Sequence, residues 1–138
     1  MDKRKLARLH RVRSLQLNLA QAAETTARDQ AASEAALAQR IANLAAAVAP
    51  AQALGTAVSF AAQAHYRDKL HRTAQAADNR LRTAEAAAAR AAEATRSAKR
   101  DQTAVEKLMA RADLEAALRE IRALQEAPPT RKVRHDPC

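Results

Sequence analysis

The chain has 138 residues, a length that suits one domain, and 40 of them are alanine, while Phe60 and Tyr66 are the only aromatics. So few bulky side chains exclude a large globular core and an enclosed small-molecule pocket, and the dominance of Ala, Arg, Glu, Gln and Leu is that of long helices. A formal charge of +9 points to an acidic partner surface, and it is concentrated at Lys3, Arg4, Lys5, Arg8, Arg11 and Arg13, against Asp2 alone.

The charged start is not followed by an apolar stretch and a small-residue cleavage site, so no secretory leader is expected. No run of about 18 apolar residues occurs, so no membrane-spanning helix is expected. A cytoplasmic protein is the expectation. Cys138 stands alone, which gives no disulfide framework, and it is the last residue, too late for a prenylation box.

The first helix is predicted from about Lys3 to Val48. Its apolar positions are Leu6, Leu9, Val12, Leu15 and Leu19, then Ala23, Ala27 and Ala31, then Leu37, Ile41, Leu44 and Val48. The last four keep heptad spacing, but the frame slips between Leu19 and Leu37. Pro50 and Gly55 then interrupt the helical pattern. Gly55 is the only glycine in the chain, and residues 49–56 are predicted to form a turn.

The second helix is predicted over residues 57–125. From Leu70 a strict alternation of four and three steps passes Ala74, Ala77, Leu81, Ala84, Ala88, Ala91, Thr95, Ala98, Gln102, Val105, Met109, Ala112 and Ala116. That is a sustained coiled-coil seam. The fold class expected is therefore all-α, an antiparallel coiled-coil hairpin with a longer second helix.

A turn centred near residue 53 pairs residues whose numbers add to about 106. Leu37 then meets Leu70, Ile41 meets Tyr66, Leu15 meets Ala91 and Leu9 meets Ala98. At 1.5 Å per residue the arms are about 68 and 100 Å long. Residues 103–126 are then expected to lack a partner within the chain, although Val105, Leu108, Met109, Leu114, Leu118, Ile121 and Leu124 make them apolar. Such a stripe calls for another chain. Residues 127–138, with three prolines, read as a disordered basic tail.

Neither chemistry nor metal binding is indicated. His10, His65, His71 and His135 are scattered, no acid or cysteine completes a metal site, and no cofactor motif occurs. No nucleophile elbow, phosphate loop or acid pair supports an enzyme. Nucleic-acid binding lacks stacking aromatics and a recognition motif. Membrane-surface binding lacks large apolar residues on most of the face. Phe60, near the turn, reads as an interface anchor; Tyr66 fits either an interface or a plug at the hairpin end.

Leu9-His10-Arg11-Val12-Arg13-Ser14-Leu15-Gln16 after a short basic lead resembles the start of the FliJ family, related to the YscO proteins of injectisomes. The two-helix plan and Ser97-Ala98-Lys99-Arg100 with Val105-Glu106-Lys107-Leu108 extend the likeness. The resemblance implies a soluble component of flagellar type III export. It implies a stalk that enters the ring of the hexameric export ATPase, promotes its assembly and hydrolysis, and links it to the membrane-embedded export gate, with export chaperones as further partners. On these positions the ATPase-facing residues are Arg11, Arg13, Gln16, Val105, Leu108, Arg111, Leu118 and Arg122. The gate-facing residues are Phe60, Ala64, Arg67 and His71. The competing readings are a coiled-coil adaptor or granule coat protein, and a basic nucleic-acid-associated protein.

Overall fold

A computed structural model describes residues 2–48 and 57–128. The expected turn at 49–56, with Pro50 and Gly55, lies outside the described residues, as does the tail from 129, with His135 and Cys138. Two helices, α1 (Lys3–Ala47) and α2 (Ala57–Glu126), pack against each other in an antiparallel, all-α hairpin.

Local chemistry favours helix throughout both arms. Alanine has the highest intrinsic helix propensity. The side chain of Asp2 caps α1 by accepting from the backbone N–H of Arg4 at 3.2 Å, and its charge suits the helix N-terminus. At the other end the Val48 N–H donates to the Leu44 carbonyl at 3.2 Å. Threonines 25, 26, 73, 83 and 95 turn their hydroxyls back onto carbonyls four residues earlier. Asp68–Arg72, Asp78–Arg82 and Glu115–Arg119 are acid-before-base pairs one turn apart, the more favourable order.

On α2 the expected seam is the observed one. From Leu70 to Ala116 every predicted seam position is buried or half-buried. On α1 the seam differs from expectation. Its covered frame is Leu6, His10, Arg13, Leu17, Ala20, Glu24, Ala27, Ala31, Glu34, Ala38 and Ile41, stepping by four and three without a slip, with Ala7 and Ser14 half-buried at its edge. Leu9, Val12, Leu15, Leu19, Leu37 and Leu44, expected in the seam or opposite small residues, are exposed. An unbroken heptad frame with four polar members thus prevails over an apolar one that breaks, because only the unbroken frame keeps one face of α1 against α2 along its whole length.

The register is corrected with it. Arg13 bonds Asp101 and Glu34 lies beside Arg80, pairs adding to 114; Lys3–Asp113, His10–Glu106 and Ser14–Gln102 add to 116. The two covered stripes superpose at 115. At 106, α1's stripe would lie on Arg100, Arg96 and Glu93, off the covered face of α2. At 115, Leu6 reaches Met109 and Ala112 and is 2% exposed. The pairings Leu37–Leu70 and Ile41–Tyr66 are therefore not formed, and Tyr66 is half exposed rather than a plug opposite Ile41.

This shift redistributes the unpaired helix. The start of α1 is level with Ala112, so residues 103–112, expected to lack a partner, lie alongside α1, with Val105, Met109 and Ala112 against it. About 14 residues of α2 (113–126) still run past α1, near 21 Å. At the opposite end Ala47 is level with Asp68, so about 11 residues of α2, near 16 Å, extend beyond the end of α1. Much of the seam is alanine on both sides, which allows close approach but buries little area per contact. The large buried side chains sit at its two ends, Leu6 and Val105 at one and Ile41 at the other.

Candidate docking surfaces

At the end where α1 begins, charge and packing hold the arms together. Lys3 Nζ is 2.9 Å from Asp113 Oδ1, and Arg13 Nη1 donates to Asp101 Oδ2 and to Gln16 Oε1, each at 3.0 Å. His10 Nε2 lies 3.4 Å from Glu106 Oε1. These contacts use Lys3, Arg13 and His10 within the hairpin. Arg4, Lys5, Arg8 and Arg11 are exposed, and their side chains join no ion pair among the described residues.

The residues that the resemblance assigns to ATPase contact fall into two groups here. Val105 is 5% exposed, packed in the seam, and Arg13 is tied across it, so both serve the hairpin first. Arg11, Gln16, Leu108, Arg111, Leu118 and Arg122 are exposed. Leu108 and Arg111 share a groove of about 240 Å³ with Leu6, Ala112 and Glu115. Beyond it Leu114, Leu118, Ile121 and Leu124 form a bare apolar stripe, Leu124 being 77% exposed.

At the turn end the four gate-facing positions are spaced by four, three and four residues, which sets them along one side of α2. Ala64, Arg67 and His71 line a shallow groove of about 510 Å³ with Ala45, Asp68, Leu70 and Ala74. Phe60, one turn earlier, is 56% exposed.

One surface was missed at the level of sequence. Leu9, Val12, Leu15 and Leu19 form an apolar stripe on the outside of α1, with Leu15 62% exposed, among Lys5, Arg8 and Arg11. The signal that could have found it is the three-step spacing from Leu9 to Val12 to Leu15, which no a/d seam sustains.

Among the described residues no group of three or more His, Cys, Asp or Glu could hold a metal ion, and no helix is long and apolar enough to cross a membrane. The carboxylate of Glu93, exposed on α2, is held below its ordinary pKa by hydrogen bonds from Arg100 first and then from Arg96.

The described residues thus form a two-helix hairpin with exposed apolar stripes on both helices. No family model, curated protein or solved structure matches the chain.

Proposed function

We propose that this chain is the coiled-coil stalk of a flagellar type III export apparatus. In this reading it inserts into the ring of the hexameric export ATPase, promotes ring assembly and hydrolysis, and links the ring to the export gate in the membrane. It catalyses nothing itself, works at the cytoplasmic face of the apparatus, and meets export chaperones as further partners.

The observation that carries the reading is the unequal hairpin. Near the start of α1, α2 continues for about 21 Å with Leu114, Leu118, Ile121 and Leu124 exposed, and with the exposed cations Arg111 and Arg122 on the same stretch of α2. A ring pore with an acidic or polar lining suits a slender basic rod with an apolar end. The likeness of the N-terminal segment to the FliJ family supports the same assignment. In this reading Phe60, Ala64, Arg67 and His71, exposed at the far end, would meet the gate.

The exposed α1 stripe from Leu9 to Leu19 favours a second reading, a coiled-coil adaptor that holds two partners at once. The test is to add the purified chain to the export ATPase and measure hydrolysis and ring formation. The stalk reading expects both to rise, and expects L118S and R122E to abolish the rise while helicity stays intact. No change in either at micromolar chain would sink it. Export ATPase stimulation that survives L118S and R122E but is lost in L15S would favour the adaptor.

A further inference from the structure

We propose that the α2 overhang is a self-complementary surface, and that two copies of this chain associate through it, antiparallel and end to end. The surface is the one the export reading gives to the ATPase, so the ring and a second copy would compete for it, but the dimer concerns the chain alone and is tested without the ATPase.

The overhang carries Leu114, Ala117, Leu118, Ile121 and Leu124, all exposed. At 100° per residue this stripe lies almost opposite the Ala112–Ala116 seam, on the side of α2 turned away from α1. A second helix can therefore lie along it without meeting α1.

Laid antiparallel so that numbers add to about 238, the stripe fits its own copy. Leu114 meets Leu124 of the second copy, Ala117 meets Ile121, and each contact recurs by the twofold axis. One edge of the stripe is lined by Arg111, Glu115 and Arg122, with Glu126 just beyond. In this register Glu115 lies beside the second copy's Arg122 and Arg111 beside its Glu126, again twice each. Glu115 already accepts from Arg119 at 3.4 Å and has an oxygen to share. On the other edge Asp113 is neutralised by Lys3, which leaves Glu120 against its own copy as the unfavourable element.

The opposite orientation fails on charge. The outer side of α2 continues from the overhang into Lys107, Arg100 and Arg96, which line a shallow basic groove. A parallel pair would set these cations against themselves, whereas the antiparallel pair ends before Lys107. Size sets the strength. The exposed apolar area amounts to roughly 800 Å² over both copies, below the roughly 1,200 Å² of a stable interface, so the dimer is a weak, concentration-dependent one.

The experiment is sedimentation equilibrium of the full chain with Cys138→Ser, from about 10 µM to 1 mM. A monomer–dimer equilibrium is expected across that range. Glu115→Arg alone and Arg122→Glu alone should each weaken it about tenfold, since each sets like charges together twice. The double exchange Glu115→Arg with Arg122→Glu should restore it. Leu118→Cys, close to the twofold axis, should give a disulfide-linked dimer, and Ala104→Cys should not. These positions are exposed, so circular dichroism should report unchanged helix. A monomer at 1 mM, a dimer indifferent to the single exchanges, failure of the double exchange to rescue, or cross-linking through Ala104→Cys would each overturn the proposal.

Discussion

Replacing Glu34 by leucine should make the hairpin more stable. Glu34 occupies a seam position in the alanine-rich middle of α1, and its Oε2 is buried without a hydrogen-bond partner. The nearest cation, Arg80 Nε, is 3.9 Å away, beyond hydrogen-bond reach. An unsatisfied buried oxygen costs about 1–3 kcal/mol. Attraction to Arg80 offsets about 1 kcal/mol at most, because the Arg80 side chain is more than half exposed and solvent screens the pair. Leucine is close to glutamate in helix propensity, so the backbone term hardly changes. It also adds about 1 kcal/mol of apolar burial between Ala27, Ala84 and Ala87, which line the small cavity beside Glu34. The net gain is about 1–3 kcal/mol, or roughly 4 °C in Tm for each kcal/mol. Thermal unfolding followed by circular dichroism at low concentration measures it. A fall in Tm would refute the reasoning and show that Glu34 and Arg80 form a strong pair. A double-mutant cycle with Arg80→Met should then return a coupling well above 1 kcal/mol.

The register makes its own prediction. In a Cys138→Ser background, cysteines at Ala20 and Thr95 should oxidise to a disulfide within one chain, and cysteines at Leu37 and Leu70 should not; the reverse result would restore a register near 106. Leu6→Ala should cost about 2–3 kcal/mol and speed amide exchange over residues 3–13, because Leu6 is enclosed by Met109 and Ala112. Val12→Ser with Leu15→Ser should change stability by less than about 1 kcal/mol, since both side chains already face solvent. Glu93 should titrate below its ordinary value in the folded chain, and Arg100→Gln should raise it. Because the folded value is the lower one, its contribution is present above the ordinary carboxylate pKa and fades as pH falls through the lowered one. NMR titration of the Glu93 side chain would show an unshifted value if the contacts from Arg100 and Arg96 are absent in solution.

Much of the fold was legible in the residues alone. Alanine content set helix, and the pattern from Leu70 to Ala116 set the buried face of α2 position by position, because a seam of small residues on one unbroken heptad has no competing face. The N-terminal part of α1 was not legible in the same way. There large apolar residues and the unbroken frame point in different directions, and hydrophobicity chose Leu9, Val12 and Leu15, whereas packing chose His10, Arg13 and Leu17. A local pattern scores each side chain by its own transfer energy. Two rods in contact instead select the face that stays in line along the whole covered frame of α1, even where that face includes Glu24 and Glu34.

The docking surfaces divide along the same line. An apolar end to α2 could be read directly from Leu114, Leu118, Ile121 and Leu124, whereas the set at 60, 64, 67 and 71 came only from the resemblance. Which residues are free could not, since that depends on the register. Only the paired helices decided that Val105 and Arg13 belong to the seam, that the overhang begins near residue 113 rather than 103, and that α2 also outruns α1 at the turn end. By itself the sequence determined two long helices, their order and the face of α2 that is buried, because these follow from local propensity and period. The alignment of one rod along the other was decided by the tertiary structure. Heptad stripes repeat every seven residues, so many alignments look alike locally, and only the fit of Leu6 against Met109 and of Lys3, Arg13 and Glu34 beside their opposite charges selects one.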